Sequence, residues 1–201
     1  MPNYCANTLT LAHSDPAMIQ RVQDAVARGE LLNEFVPVPK ALTETVSGSV
    51  PVDEEAAHKA QEEANREAYG YTNWYDFCNA EWGTKWDVDA EVIMATPSQV
   101  DLAFDSAWAP PICWYEKMLA LGFEVDAYYY ESGMGFCGHY DNGSDLYYEI
   151  GETSAETKDS VPSDIDDMFS ISECQYEYEQ ENRDELQAWI EDAVETKEGA
   201  L

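Results

Sequence analysis

Apolar and polar residues alternate from Tyr4 to Ala12 (Tyr-Cys-Ala-Asn-Thr-Leu-Thr-Leu-Ala), the period-two pattern of a half-buried strand. Ser14 or Asp15 then offers a helix cap, with Pro16 near the first helical position. Met18, Ile19, Val22, Ala25 and Val26 recur at helical spacing, and Gly29 marks the end. Residues 35–52 hold three prolines (Pro37, Pro39, Pro51) and a Ser-Gly-Ser, and read as a loop. Residues 53–67 are rich in Ala, Glu and Gln, which predicts a solvated helix inserted into the domain. A short aromatic helix is expected within residues 73–82, closed by Gly83. Residues 89–95 and 99–104 are strand-like, and Thr96, Pro97 and Ser98 join them as a hairpin. Pro110 and Pro111 open a helix that runs to Leu121 and stops at Gly122. Residues 123–131 form a strand with Val125, Ala127 and Tyr129 on one face. Residues 133–140 and 145–150 pair through Asp141, Asn142, Gly143 and Ser144, a strong turn signal.

This order predicts an α+β fold: a ferredoxin-like split βαβ antiparallel sheet with helices on one face. A helical insertion occupies about residues 53–87, and a hairpin and a helix are added towards the C-terminus. The domain is expected over residues 1–150. Residues 151–201 form an acidic extension packed on or flanking it, with 151–167 as a linker or strap. Met168, Phe169, Ser170 and Ile171 are suited to dock back on the core. Asn182 or Asp184 caps a last helix with Leu186, Trp189, Ile190 and Val194 at helical spacing.

Composition supports a folded chain, with 201 residues, 45% hydrophobic and 12% aromatic. No run approaches the roughly 20 apolar residues of a membrane helix, and the first residues lack the features of a signal peptide. Five cysteines without a CxxC pair favour reduced thiols. Together these lead to the expectation of a cytoplasmic protein. Charge changes the picture most. The net charge is −31, and residues 101–201 carry 25 acids against 4 bases. Such a field repels nucleic acid and anionic membrane and attracts basic surfaces. Adaptation to high salt, as in a housekeeping protein of a salt-loving host, is the plainer alternative.

Three segments carry a family likeness. They are the Pro2-Asn3-Tyr4-Cys5-Ala6-Asn7 start, the block from Tyr69 through Gly83-Thr84-Lys85-Trp86-Asp87, and Phe104 to Pro111 with Tyr130 to Gly138. The chain thereby resembles the YubB-like proteins of conjugative plasmids and phages over roughly residues 1–150. The resemblance implies a ferredoxin-like domain and a mobile-element context, and brings no catalytic residues. The acidic extension and the low Lys and Arg content depart from that family's pattern.

The aromatic block Trp74, Tyr75, Phe77, Trp82 and Trp86 reads as a core corner ahead of a base-stacking platform, which would need a positive groove. Lys85, the lone base there, is expected to pair with Asp76, Asp87 or a sheet-end carbonyl. The glycine-rich run Gly133 to Gly138 lacks the lysine of a phosphate loop and reads as a strand with a bulge or close backbone approach. Cys137 and His139 share a strand face, without further ligands at a recognised spacing. Asp141 to Asp145 reads as a hairpin turn rather than a calcium loop. His13 and His58 fall in regions read as surface.

Carboxylate rows are the stronger lead. Residues two apart on a strand lie about 6.6 Å apart on one face, the spacing of Glu177-Glu179-Glu181, Asp87-Asp89-Glu91 and Glu124-Asp126. The partner-binding residues expected are Asp164, Asp166, Asp167, Glu173, Glu177, Glu179, Glu181, Asp184, Glu185, Glu191, Asp192 and Glu195. No catalytic residue, metal or cofactor is assigned. The expected function is inhibition of a host defence system, of anti-restriction or anti-CRISPR type. The partner is then a basic nucleic-acid-binding effector or nuclease, met by DNA mimicry. A hydrolase using clustered carboxylates and a divalent metal is the enzymatic alternative.

Overall fold

The computed structural model describes residues 3–183. Its fourteen bounded elements are β1 (Tyr4–Ala12), α1 (Pro16–Arg28), α2 (Leu31–Phe35), α3 (Lys40–Thr43), α4 (Glu55–Tyr69), α5 (Trp74–Glu81), β2 (Glu91–Ala95), β3 (Gln99–Ala107), α6 (Ile112–Ala120), β4 (Glu124–Glu131), β5 (Phe136–Asp141), β6 (Ser144–Glu149), α7 (Ser154–Ser160) and α8 (Ser163–Phe169). Residues 171–183 are helical as well and are termed α9. The fold is α+β, with a six-stranded antiparallel sheet in the order β2-β3-β1-β4-β5-β6. The described residues form two compact units, one of residues 3–134 with Gly138–Tyr147 and one of Gly135–Cys137 with residues 148–183.

In the first unit, β1 is central. It pairs with β3 from Tyr4↔Ala107 to Ala12↔Gln99 and with β4 from Cys5↔Glu131 to Ala12↔Glu124. This register aligns Leu9 with Leu102 and Ala127, and Leu11 with Val100 and Val125, all buried on one face. Ile19 and Val22 of α1, Leu31 and Leu32 of α2, Phe77 of α5 and Trp114, Tyr115 and Met118 of α6 join the same core. Local signals explain α1: the Asp15 side chain accepts from Ala17 N, Pro16 starts the helix, and Gly29 ends it at φ 68°. The β5–β6 turn has Asn142 at φ 45° and Gly143 at φ 98°, the two positive values a tight hairpin turn requires. Helix α4 buries Asn65 alone, whose amide donates to Thr45 Oγ1 and to the Thr72 carbonyl.

Several expectations need correction. The loop expected over residues 35–52 contains α3, and α2 precedes it. Residues 87–90 lie outside any strand, so Asp87 and Asp89 do not extend the row of Glu91. Residues 132–135 turn between β4 and β5, which removes Gly133 and Gly135 from the strand. The buried Glu131 carboxylate organises that turn by accepting from Gly133 N and Met134 N. Gly138 does lie in β5, where a Cβ would collide with the Tyr129 ring.

The second unit corrects the linker reading. Residues 151–167 contain α7 and α8 rather than a strap. Thr153 and Glu156 form a reciprocal capping box that starts α7. Val161, Ile165 and Ile171 are buried with Thr157, a small apolar centre for a short segment. Because α9 already runs through residue 183, Asn182 sits inside a helix and caps nothing. Asp184 and the apolar positions of the expected last helix lie outside the described residues.

Candidate functional site

The acidic positions of the second unit divide into two kinds. Asp166 is buried: its carboxylate accepts from Ser172 N at 2.7 Å and from Ser172 Oγ at 2.5 Å. It thereby satisfies a first-turn N–H of α9 and is consumed in structure. Glu179 accepts from Ser154 N at 2.7 Å and Ser154 Oγ at 3.0 Å, tying α9 to the start of α7. These two expected partner-binding residues are internal fasteners. The cause is the same for both, a backbone N–H at a helix start that a nearby carboxylate relieves.

Asp164 and Asp167 on α8 and Glu173, Glu177 and Glu181 on α9 are exposed. The strand spacing expected for residues 177–181 does not apply, since they are helical. Helical geometry gives a different row: Glu173, Glu177 and Glu181 recur every four residues, about 6 Å apart along one face. Tyr176 and Tyr178 are exposed on the same helix. Asp184, Glu185, Glu191, Asp192 and Glu195 lie outside the described residues.

In the first unit, a second acidic surface emerges on the sheet face opposite the core. Across β1, Thr10 pairs with Asp101 on β3 and with Asp126 on β4, and Ala6 pairs with Asp105 and Tyr130. Thr10 Oγ1 donates to Asp101 Oδ1 at 3.0 Å. Asp126 Oδ2 lies 3.3 Å from His139 Nε2, and the His139 ring stacks on Tyr128 at 4.1 Å. Glu124 and Asp126 keep the strand spacing expected of them. Asp101 and Asp105 were missed, because the register that sets them across from Asp126 and Tyr130 runs through β1, far away in sequence.

In the aromatic block each residue has its own place. Phe77 and Trp82 are buried, and Trp82 Nε1 donates to the Val36 carbonyl at 2.9 Å. Gly83 at φ 87° lets the backbone pass the start of α6. Thr84 Oγ1 accepts from Ala107 N and donates to its carbonyl, clipping this loop to the end of β3. Lys85 does not take the carboxylate partner expected of it: its Nζ lies 4.7 Å from the centre of the Trp86 ring, 5.1 Å from Trp108 and 5.8 Å from Tyr75. Trp108 holds φ at 68°, a costly conformation for a bulky residue. Asp87 accepts from Leu32 N, Asn33 N and Val88 N at 2.8–2.9 Å, and so starts α2 from 55 residues away. Burial nevertheless pushes its carboxyl above the usual carboxylate range, outweighing those three donors.

Beside this block lies a cleft of about 360 Å³, lined by Trp74, Trp82, Trp86, Glu30, Asn33, Asp87 and smaller neighbours. On the surface nearby, Glu81 receives the Tyr71 hydroxyl and lies 3.0 Å from Lys117 Nζ. Those two donors hold its carboxyl below the ordinary range. His58 is half-buried rather than free at the surface, with Nε2 2.9 Å from the Val46 carbonyl. His13 is partly covered as well, its ring packed against Phe123. Burial raises the Cys137 thiol to about 11. Among the described residues, no three His, Cys, Asp or Glu side chains group closely enough to hold a metal ion. No helix among them is long and apolar enough to cross a membrane.

No family model and no curated protein matches the chain. Among solved structures it is similar to the protein api92 from Yersinia pseudotuberculosis, described with family model DUF1281. The identity is 11% and the TM-score 0.39, covering 75% of this chain and 99% of that one.

Proposed function

We propose that the protein is an acidic inhibitor that binds the nucleic-acid groove of a basic effector or nuclease of a host defence system. The observation that carries this reading is the exposed row Glu173, Glu177 and Glu181 on α9. Its spacing of about 6 Å resembles that of successive backbone phosphates. Close like charges on a helix cost a few tenths of a kcal/mol per pair, and solubility needs a net charge of only about 2–8 in magnitude. A net charge of −31 exceeds that need several-fold. The carboxylates on the outer sheet face (Asp101, Asp105, Glu124, Asp126) add a second set in the first unit. The strand order β2-β3-β1-β4 supports reading that unit as a ferredoxin-like split βαβ with an added hairpin. The resemblance of the Gly83 to Asp87 block to YubB-like plasmid and phage proteins supplies the mobile-element context.

The test is competition. Fluorescently labelled duplex DNA is bound to a panel of restriction and CRISPR-type effectors, and the protein is added at equimolar ratio at several salt concentrations. Displacement that weakens steeply with salt is the expected result. The triple variant Glu173→Gln, Glu177→Gln, Glu181→Gln should displace about tenfold less effectively. Unchanged DNA binding across the panel at low salt overturns the proposal.

A further inference from the structure

The cleft beside the aromatic block is unusual in its lining. Trp74, Trp82 and Trp86 contribute three indole rings, Glu30 and Asp87 contribute two carboxylates, and no lysine or arginine lines it. Its volume of about 360 Å³ lies at the small end of ligand sites. Aromatic faces attract cations, most strongly when the cation is planar and weakly hydrated, as a guanidinium is. The chain already uses this preference internally: Trp86, which lines the cleft, also carries Lys85 against its ring.

Asp87 adds direction to the site. Oδ1 accepts from Leu32 N and Val88 N, while Oδ2 accepts from Asn33 N only. An ionised carboxylate offers about four lone-pair positions, so Oδ2 keeps one for a further donor. A guanidinium N–H can use that position. A quaternary ammonium, which has no N–H, cannot. The overall negative charge excludes anionic ligands by repulsion and draws cationic ones.

We infer that this cleft receives an arginine side chain presented by a basic partner protein, its guanidinium against the tryptophans and hydrogen-bonded to Asp87. This deepens the reading of an acidic inhibitor and rests on it for the choice of a protein as bearer of the arginine. The acidic row supplies long-range attraction, and the cleft supplies a short-range anchor of the kind that dominates interface energetics.

The experiment uses the full chain and intrinsic tryptophan fluorescence. The probe is a blocked Gly-Arg-Gly peptide, compared with its citrulline and trimethyllysine counterparts and with adenosine. Saturable quenching by the arginine peptide is expected, with at least about tenfold weaker binding of the citrulline form. Trp74→Leu should weaken the arginine peptide about fivefold, and Glu30→Gln about threefold. Near-UV dichroism checks that each variant is folded, and Glu30→Gln, at an exposed position, keeps the inference falsifiable if Trp74→Leu does not fold. The triple glutamine variant on α9 should bind the peptide as the wild type does. Equal binding of arginine and citrulline peptides, preference for trimethyllysine or adenosine, or indifference to both cleft variants overturns the inference. Loss of effector competition in the α9 variant, with no peptide binding in the wild type, would leave the inhibitor reading standing and remove the cleft from it.

Discussion

Both units hold part of their carboxylates by hydrogen bonds, but against different cores. In the first, Asp15, Asp87, Glu131 and Asp145 are among the acids held by hydrogen bonds, and they surround an extensive core of apolar and aromatic side chains. In the second, the apolar centre is small and two of the seven described candidate acids, Asp166 and Glu179, fasten its helices together. The difference shows that negative charge is not a property of surfaces alone. A carboxylate becomes structural wherever a helix start leaves N–H groups without partners. It stays available for a partner only where no such donor lies within reach. Acidic composition therefore overstates the surface that can meet a target.

The largest expected effect breaks the first unit at its core. Trp114 is fully buried, and its Nε1 donates to the Leu32 carbonyl at 3.2 Å. Trp114→Ala removes the ring and leaves that carbonyl without its donor. A loss of about 3–5 kcal/mol is expected, measured by urea unfolding followed through near-UV dichroism. A loss below about 1 kcal/mol would mean that the packed core does not govern this unit, and the contrast drawn above would collapse.

An intermediate effect tests the second unit. Asp166→Ala strips the acceptor from Ser172 N and Oγ and should cost about 1–3 kcal/mol. Asp167→Ala, one residue along and exposed, should stay within about 0.5 kcal/mol. Thermal melts of the two variants sharpen the division between fastening and displayed carboxylates. Equal losses would show that the division has no energetic content.

What could be read in advance follows the range of the interaction. Helix α1 was legible because Asp15, Pro16 and Gly29 are adjacent to the segment they delimit. The hairpin turn at Asn142 and Gly143 was legible for the same reason. Helix α2 was not, since the carboxylate relieving its first N–H groups is Asp87, far along the chain. Helix α7 carried a local signal, Thr153 three residues before Glu156, which the acidic and polar composition of residues 151–167 obscured. The outer-face acids could not be grouped without the β1 register, and the cleft joins residues from Gly29 to Asp87 that only folding assembles. For Asp166 and Asp167, neighbours in sequence with opposite fates, composition offered no means of telling them apart.

The smallest effect concerns chemistry rather than stability. Burial pushes the Cys5 and Cys78 thiols of the first unit up to about 12. The nucleophile is the thiolate, so both groups are nearly unreactive at neutral pH even before access is considered. Cys174, on α9, is exposed. Brief treatment of the native protein with iodoacetamide at pH 8 should therefore label Cys174 first, with Cys5 and Cys78 modified only as urea unfolds the first unit. Peptide mass mapping over time reads the order directly. Early labelling of Cys78, which lines the cleft with Trp74 and Trp86, would show that the cleft opens in the native state and that the packed character of the first unit ends at the aromatic block. Retarded labelling of Cys78 on addition of the Gly-Arg-Gly peptide would then report occupancy from inside the cleft itself.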